Sequence, residues 1–424
     1  MKLKKENVAN SNDRNRTNRL LNFLKLLFKG ISVLIGLIII VVIVFLALLW
    51  LEHNESVILP SPTGPFAVGR KTYDWVDSTR IDSLAPVKNQ KRELLIWIWY
   101  PGEKQGTSKL SDYMSKPWRV ALENHQGVLL SKFLKTDLSK VYAHNIGDVD
   151  VSSQIKSYPV IILRSGIGAL ATDYTTLAED LASHGYIVVG ADAPYSTSIV
   201  LFPDGRVITR PNANDIENMP TETQNTFANK LLKIWTADTH FILDRLQKLN
   251  SKNSSNKLAG KLNLNAVGIM GHSFGGATAA QFCHDDKRCK AGINMDGIPF
   301  GNVSYESLNQ PFMFITSDYG TALDPISYRF HAEIKAIYDL HPVDSRIWVK
   351  IRGAHHFNFS DQAILNNKQI ARLTGLLGPI DGRRGLTVAA GYAKTFFDVY
   401  LKNASNKLLK NPLSVYPEIQ FESR

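Results

Sequence analysis

One serine and two adjacent histidines are the residues of this 424-residue chain best suited to chemistry. The serine lies in a Gly-x-Ser-x-Gly pattern formed by Gly271, Ser273 and Gly275. A serine hydroxyl is a poor nucleophile at neutral pH until a base takes its proton and an acid orients that base. His355 and His356 lie downstream and supply two candidate bases. Together these residues predict acyl-transfer chemistry at an ester-type carbonyl.

The sequence around Ser273 predicts a strand, a sharp turn and a helix. An apolar run, 266–270, precedes the serine, and a run rich in small residues, 274–282, follows it. Such a turn forces the serine into a sparsely allowed conformation, and the flanking glycines remove β-carbons that would clash there. It also places the Phe274 amide at a helix N-terminus, where it can donate to a developing oxyanion. An ordinary glycine-rich turn is the alternative, but the three elements together favour a nucleophile elbow.

Two aspartates are candidates for the acid that orients the histidine. In folds built around a nucleophile elbow, the order along the chain is serine, then aspartate or glutamate, then histidine. Asp296 and Asp318 each follow an apolar run that predicts a strand. Spacing alone does not choose between them, and either could be a solvated loop carboxylate or a helix cap. Of the two histidines, we expect one to be the base and the other to be a structural neighbour.

A glycine-rich loop upstream predicts the second part of an oxyanion hole. Residues 164–170 (RSGIGAL) follow an apolar run, and the Ile167 amide is the predicted backbone donor. The same loop fits a dinucleotide fingerprint, Gly-x-Gly-x-x-Ala, with Asp192 as the ribose-binding acid. That alternative is weaker, because Asp192 lies later than usual and the outward-facing domain described below has no obvious supply of nicotinamide cofactor. We therefore expect no cofactor.

Beyond residue 159, short apolar runs alternate with helical patterns, which predicts an α/β fold with a doubly wound, mostly parallel sheet. The predicted strands are 160–163, 187–190, 266–270, 291–295, 312–315 and 347–351. The predicted helices are 172–183, 223–249, 274–282, 328–340 and 387–401. Two aromatic runs, 73–76 and 94–100, predict an antiparallel pair at a sheet edge. The less regular stretches 104–157 and 195–222 are expected to cover or shape the pocket.

The N-terminal sequence predicts a membrane anchor. Residues 1–29 carry eight Lys or Arg against two acids, and residues 30–51 are uncharged and as a helix would span about 33 Å. A cleaved signal peptide is the alternative, but its apolar core would be shorter and would end in a small-residue cleavage site. The positive flank places the N-terminus in the cytoplasm and the catalytic domain outside, in a single-pass topology. The predicted parts are a basic cytoplasmic segment (1–29), a transmembrane signal-anchor helix (30–51), a linker (52–65), a catalytic domain (66–405) and a C-terminal tail (406–424).

Charge and cysteine usage argue against several other classes. The net charge of +11 is concentrated in the N-terminal segment, so we expect no nucleic-acid partner. The chain has no His-Glu-x-x-His motif, and its cysteine-containing segment lies at a predicted helix end away from Ser273, so we expect no metal site. Cys283 and Cys289 either form one bridge or remain buried free thiols. The sequence predicts no particular oligomeric state.

With these residues in place, the chain resembles the plasma-type platelet-activating factor acetylhydrolase (lipoprotein-associated phospholipase A2) family of the α/β-hydrolase superfamily. The resemblance covers most of residues 65–402, and its matching segments are 64–69, 99–101, 180–188, 271–278, 292–297 and 352–361. The run GHSFGGAT at 271–278 and the histidine segment are together specific. One departure is Ser165, because members often carry a histidine just before the first glycine of the oxyanion loop.

The resemblance implies an α/β-hydrolase fold and a serine esterase that needs no metal. Its implied substrates are phospholipid or other lipid esters with short or oxidised acyl chains. Asp318 and His355 then stay as alternatives for the acid and the base. A non-catalytic receptor on the same fold is weakened by the complete set of serine, acid and histidine, whereas acyl transfer to another alcohol would use the same residues. The implied roles are Ser273 as nucleophile, Asp296 as acid, His356 as base, and the Ile167 and Phe274 amides as oxyanion donors.

Overall fold

The computed structural model describes residues 2–103, 110–251, 256–318, 325–406, 409 and 415–422. Two compact units make up the chain, Met1–Asn54 and Glu55–Arg424. The first unit contains one long helix, α1 (Lys2–His53). Its segment Arg16–His53 is apolar and long enough to cross a membrane, features that a signal sequence shares. The predicted transmembrane segment, 30–51, lies within this helix.

The second unit is built on a nine-stranded sheet. The strands of the chain are β1 (Val57–Ile58), β2 (Ala67–Ile81), β3 (Lys91–Gly102), β4 (Ser111–Asp112), β5 (Val141–Ala143), β6 (Tyr158–Arg164), β7 (Ile187–Asp192), β8 (Ile199–Leu201), β9 (Val207–Thr209), β10 (Leu262–His272), β11 (Cys289–Met295), β12 (Phe312–Thr316), β13 (Arg346–Ile351) and β14 (Ile419–Phe421). The large sheet has the order β14-β13-β12-β11-β10-β6-β7-β3-β2. Strands β6, β7 and β10 to β13 run parallel, and β2, β3 and β14 are antiparallel at the two edges. The predicted doubly wound, mostly parallel sheet with an antiparallel edge pair is confirmed.

Helices cover this sheet and match the predicted helices to within a few residues. After α1 they are α2 (Lys116–Leu129), α3 (Thr175–Ser183), α4 (Thr221–Leu249), α5 (Phe274–Asp285), α6 (Pro325–Leu340), α7 (Gln362–Leu365), α8 (Lys368–Leu373) and α9 (Gly382–Lys402). Helix α9 begins earlier than predicted because the Asp381 side chain accepts the Arg384 N–H and caps it. Helix α2 lies in a stretch without a predicted element, and Gly127, with φ of 75°, interrupts its helical pattern.

The central strands are apolar throughout because both of their faces are covered. In β6, Val160 and Ile162 pack into one core cluster, together with residues of α4, α5 and α6. The alternating residues Ile161 and Leu163 pack into a second cluster, together with residues of α3 and α9. Side chains alternate across a strand, so this continuous apolar run supplies the two layers of helices on opposite faces of the sheet.

Short segments on either side of the predicted catalytic domain also pair with it. Strand β14, in the predicted tail, adds an antiparallel strand beside β13. The tail residues 407–408, 410–414 and 423–424 lie outside the described part of the chain. Strand β1, in the predicted linker, pairs with β5. In the first predicted irregular stretch, 104–157, residues 104–109 lie outside the described part of the chain.

The loops at the carboxyl ends of the parallel strands carry the polar residues singled out above. Ser273 follows β10, and Asp296 follows β11. The glycine-rich loop at Gly166 follows β6, and His356 lies in the loop after β13. Because the carboxyl ends of parallel strands meet at one edge of a sheet, these residues gather at a single site.

Candidate active site

Ser273 occupies a strained turn between β10 and α5. Its backbone has φ of 55° and ψ of −126°, a conformation that residues with a side chain seldom adopt. The backbone N–H of Ser273 donates to the Met295 carbonyl at 2.8 Å, which ties the turn to the neighbouring strand β11. The hydroxyl is thereby displayed at the sheet edge, as the predicted nucleophile elbow requires.

The glycines of the elbow permit close approaches between backbone segments. A β-carbon on Gly271 would collide with the Gly275 carbonyl. One on Gly275 would collide with the carbonyls of Arg164 and Ser165, in the strand end and loop that precede the predicted oxyanion donor. Glycine at these positions therefore allows the elbow and the oxyanion loop to pack directly against each other.

Asp296 and His356 form a hydrogen-bonded pair beside the serine. The Nδ1 atom of His356 lies 2.7 Å from Oδ2 of Asp296. A carboxylate only accepts hydrogen bonds, so Nδ1 carries the hydrogen and Nε2 of the neutral ring keeps a lone pair. The side chain of Asp296 is 1% exposed and that of His356 is 32% exposed. The pair is thus anchored at its acid end and accessible at its basic end.

Ser317 supports Asp296 from the far side. Its N–H donates to Oδ1 at 2.8 Å and its hydroxyl donates to Oδ2 at 2.7 Å. Burial by itself would raise the pKa of Asp296, but the hydrogen bond and charge of His356, with the two Ser317 donors, hold that pKa below its ordinary value. The carboxylate therefore stays ionised at neutral pH and can stabilise a protonated His356.

Asp318 and His355, the alternative acid and the alternative base from the sequence, have other contacts. Asp318 accepts the Gly353 N–H at 3.0 Å and lies 3.9 Å from the Lys350 ammonium, so it braces the loop after β13. His355 also faces the site, but its Nδ1 lies 3.0 Å from the Gly375 carbonyl. The structure therefore brings Asp296 rather than Asp318 to His356.

Ser273, Asp296 and His356 line one cavity of about 870 Å³. Its walls are largely apolar and aromatic, and the charged residues among the described lining are the carboxylates Glu217 and Asp296. A cavity of this kind suits the apolar part of an organic ester better than a strongly charged ligand. The lining includes Ile167, Ile216, Ser273, Phe274, Ile298, Phe300, Phe330, His355, His356 and Phe357.

Both predicted oxyanion donors lie at this cavity. Phe274 is the first residue of α5, so its amide belongs to the helix end that has no intrahelical acceptor. In the glycine-rich loop, the Gly166 N–H donates to the Tyr174 hydroxyl at 3.3 Å and the Gly168 N–H donates to the Ser196 carbonyl at 3.2 Å. These two contacts hold the loop on either side of Ile167, whose side chain lines the cavity.

The dinucleotide alternative does not match the contacts of Asp192. Its Oδ1 accepts the Ala171 N–H at 2.6 Å, and its Oδ2 accepts the indole N–H of Trp97 at 2.8 Å. Both oxygens are therefore engaged inside the protein, where they anchor the short 3-10 helix Ala171–Tyr174. Burial raises the pKa of Asp192 to about 7. This aspartate supports the oxyanion loop and offers no oxygen to a ribose.

The position of Ser165, where family members often carry a histidine, is buried together with Arg164. The Arg164 guanidinium lies 4.8 Å from the ring centre of Trp235, whose ring packs edge-on against Phe274 at 5.3 Å. Burial lowers the pKa of Arg164 to about 10, so it still carries its charge at neutral pH. Arg164 and Trp235 therefore pack behind the elbow as a support.

The two cysteines are bonded to each other. The bridge joins the end of α5 to the start of β11, so the structure has the first of the two predicted alternatives. Next to it, His284 contacts the carboxylates of Asp285 and Glu306. The polar groups of this segment are engaged with one another rather than with the cavity.

Sequence reasoning assigned no role to three residues of the site. Ser317 follows directly after β12, and its place at a strand end is a signal that could have identified it. His272 stands inside the Gly-x-Ser-x-Gly pattern, next to the serine, and lines the cavity with Tyr174. Nothing in the sequence indicates Tyr174, because its contacts join segments that are far apart in the chain.

Relatives of this chain carry names that agree with the site. A family model described as "Platelet-activating factor acetylhydrolase, isoform II" matches residues 51–408. The chain belongs to this family. A probable 1-alkyl-2-acetylglycerophosphocholine esterase of Arthroderma benhamiae is 26% identical over 398 residues, covering 87% of this chain and 94% of the relative. A platelet-activating factor acetylhydrolase of Cavia porcellus is 25% identical over 382 residues, covering 83% of this chain and 82% of the relative.

A solved structure supports the fold of this platelet-activating factor acetylhydrolase family member. A ferulic acid esterase from Streptomyces cinnamoneus matches it with a TM-score of 0.70 at 26% identity, over 87% of this chain and 100% of that one. The predicted α/β-hydrolase fold and the predicted family resemblance are confirmed. As a member of the platelet-activating factor acetylhydrolase family, the chain is a carboxylic ester hydrolase.

Proposed function

We propose that this family member is a membrane-anchored serine esterase whose catalytic residues are Ser273, His356 and Asp296. The observation that supports this most directly is the hydrogen bond between His356 and Asp296 in a cavity that Ser273 also lines. The strained conformation of Ser273 adds to it, because such strain persists where the surrounding structure holds a functional residue in place.

The proposed reaction proceeds through an acyl-enzyme. Nε2 of His356 takes the proton of Ser273 as its hydroxyl oxygen attacks the ester carbonyl carbon. The amides of Ile167 and Phe274 donate to the oxyanion of the tetrahedral intermediate, and the ionised Asp296 stabilises the imidazolium. The imidazolium then protonates the leaving alcohol, and water releases the acid in a second round with the same residues.

The proposed substrates are phospholipid or other lipid esters with short acyl chains. Relatives named platelet-activating factor acetylhydrolase and 1-alkyl-2-acetylglycerophosphocholine esterase support this class. The apolar walls of the cavity are compatible with a lipid-like molecule.

The proposed topology is a single membrane span formed by residues 30–51, with residues 1–29 in the cytoplasm and the catalytic domain, 66–405, outside. The apolar helix segment Arg16–His53 and the basic charges of residues 1–29 support this arrangement. Intact mass of the protein from membranes tests it, because retention of residues 1–51 is expected for an anchor. A mature chain that begins after residue 51 would instead identify a cleaved signal peptide, and protease digestion of sealed cells would report the orientation.

Fluorophosphonate labelling of the full-length protein tests the mechanism. We expect the wild-type protein and a Ser345→Ala control to be labelled, since Ser345 lies in an exposed turn and donates to the Pro342 carbonyl. Ser273→Ala should lose the label, and its ester turnover should fall by several orders of magnitude because members of such a triad act as a unit. Near-normal turnover in Ser273→Ala would refute the proposed nucleophile.

A series of p-nitrophenyl esters from acetate to decanoate tests the substrate class. We expect kcat/KM to be highest for the short acyl chains. Because the solved relative is named for ferulic acid, a ferulate ester belongs in the same series. A clear preference for the aromatic acyl group over all alkyl chains would contradict the proposed lipid substrate while leaving the proposed mechanism intact.

A further inference from the structure

A continuous chain of hydrogen bonds runs behind the cavity from the oxyanion loop to the base. The Gly166 N–H lies 3.3 Å from the Tyr174 hydroxyl oxygen. That hydroxyl lies 2.8 Å from Nδ1 of His272. Nε2 of His272 lies 2.8 Å from the backbone carbonyl oxygen of His356. The chain therefore connects the segment before Ile167, the residue before Ser273 and the residue that carries the base.

The directions of these hydrogen bonds follow from the chemistry of the groups. A carbonyl oxygen only accepts, so Nε2 of His272 carries the hydrogen and donates to His356. In the neutral ring Nδ1 then has a lone pair and accepts the Tyr174 O–H. The Tyr174 oxygen in turn accepts the Gly166 N–H. Every donor in the chain has one acceptor, and this order requires a single tautomer of His272.

His272 also lies close to the reacting base. The ring centres of His272 and His356 are 4.4 Å apart, and Phe359 packs near the His272 ring at 5.8 Å. His272 is 3% exposed and Tyr174 is fully buried. Burial, with a contribution from the nearby charge of His356, lowers the pKa of His272 to about 3. His272 is therefore neutral when His356 takes up a proton, and no second positive charge opposes that step.

We propose that Tyr174 and His272 are positioning residues that hold the oxyanion loop and the His356 backbone in register with Ser273. The inference rests on the proposed function, since it takes Ser273 and His356 as the reacting pair. Neither side chain exchanges a proton with the substrate. Their contribution is to keep the base and the oxyanion donors at fixed places relative to the serine, where small displacements cost much of the rate.

Two variants of His272 separate the contributions of the two ends of this hydrogen-bond chain. His272→Gln places an amide N–H near the former Nε2, so it can still donate to the His356 carbonyl. His272→Asn places its amide near the former Nδ1, so it can accept from Tyr174 but does not reach His356. We expect His272→Gln to keep kcat within roughly tenfold of wild type and His272→Asn to lose roughly a hundredfold, with KM changed by less than about threefold in both.

A tyrosine pair supplies the matched control. Tyr174→Phe removes the hydroxyl from the chain and should lower kcat by roughly tenfold or more with little change in KM. Tyr186→Phe also removes a hydroxyl from a fully buried tyrosine. The Tyr186 hydroxyl donates to Asp398 at 2.6 Å and lies at the amino end of strand β7, whereas the site lies at the carboxyl ends of the parallel strands. Tyr186→Phe should lower the unfolding temperature and leave kcat unchanged. Purified full-length protein in detergent serves for kinetics, thermal unfolding and fluorophosphonate labelling.

The outcomes distinguish this inference from the proposed function. Equal kcat in His272→Gln and His272→Asn, or a loss that follows unfolding temperature across all four variants, would overturn the positioning role. Effects confined to KM would overturn it as well. Labelling of wild-type Ser273 with unchanged rates in Tyr174→Phe would leave the proposed mechanism standing and reject only the positioning chain. A wild-type protein that takes no label at Ser273 would overturn both.

Discussion

The carboxylate of Asp296 sets the properties of His356 at the scale of single residues. It is nearly unexposed, and its oxygens accept hydrogen bonds from His356 and Ser317. A carboxylate held in this way favours the tautomer whose lone pair is on Nε2. The Nδ1 atom of His355 instead lies 3.0 Å from the Gly375 carbonyl oxygen. Of the two neighbouring histidines, His356 is the one that is hydrogen-bonded to Asp296.

Replacing Asp296 by Asn is expected to lower kcat by roughly 10⁴-fold, because an amide favours the wrong histidine tautomer. Asp318→Asn is the matched control. Its side chain accepts a backbone N–H from Gly353, which the amide oxygen can still accept, so less than about a tenfold change is expected. Steady-state hydrolysis of a p-nitrophenyl ester measures both. Equal losses in the two variants would mean that Asp296 is not the orienting acid.

The buried His272 predicts an acid-sensitive stability. Its pKa is about 3 in the folded protein and 6.5 as a reference value, so between those values the unfolded chain binds a proton that the native state does not. Stability should therefore fall as the pH drops from 6.5 towards 3, with His272 contributing at most about 5 kcal/mol. Denaturant unfolding at a series of pH values measures this slope. His272→Gln should flatten it, and an unchanged slope would assign the acid sensitivity to other groups.

The elbow and the oxyanion loop act together at the scale of secondary-structure elements. Strand β10 ends in a turn whose serine has positive φ, and helix α5 begins at the next residue. The carbonyls of Arg164 and Ser165 pack against Gly275 so closely that no side chain fits between them. The position of the oxyanion loop relative to Ser273 is therefore a packing property of two loops and one helix.

Gly275→Ala is expected to push the oxyanion loop away from the elbow. Overpacking of this kind costs roughly 1–3 kcal/mol of stability, and a displacement near 1 Å lowers kcat by roughly a hundredfold. Gly385→Ala is the control, because a β-carbon there meets only ordinary contacts, 3.5 Å from Ile380 and 3.7 Å from Asn358, inside helix α9. That variant should be as active as wild type and slightly more stable. Full activity in Gly275→Ala would contradict the packing argument.

At the scale of the whole molecule, the cavity joins apolar walls to the reacting centre, and its described lining includes histidines but neither lysine nor arginine. Glu217 and Asp296 are the charged groups there. Of the short or oxidised acyl chains that the family resemblance implies, this charge pattern favours the uncharged ones. A terminal carboxylate would enter an apolar space beside two acids, without a lysine or arginine to offset its lost hydration.

Two p-nitrophenyl esters with five-carbon acyl groups test that preference. The valerate ester ends in a methyl group and the glutarate monoester ends in a carboxylate. We expect kcat/KM to be at least roughly tenfold lower for the glutarate ester, because its charge gains no compensating contact in the cavity. Measurements at low and high salt show whether long-range repulsion contributes. Equal or faster hydrolysis of the glutarate ester would require a cation that reaches the bound acyl chain.

Much of the fold and part of the site could be predicted from the sequence. The runs that became β6, β7 and β12 are largely apolar and buried throughout, because both faces of those strands are covered. The pattern around Ser273 predicts its own turn, since a strand, a glycine-flanked serine and a helix are adjacent in the chain. Helix α2 was not predicted from the sequence, and its buried residues are Trp118 and Leu122. Two buried positions form too short an apolar pattern to indicate a helix by themselves.

The amino-acid sequence by itself determined the local features: the apolar N-terminal segment, the order of strands and helices, and the elbow that displays Ser273. Only the tertiary structure decided the partner of His356, because Asp296 and Asp318 both follow strands and both contact the loop after β13, but only Asp296 is hydrogen-bonded to the His356 ring in the described structure. The same holds for Tyr174 and His272, whose contacts join residues far apart in the chain. Local elements follow from neighbouring residues, whereas contacts across a sheet edge depend on how every strand is placed beside the next.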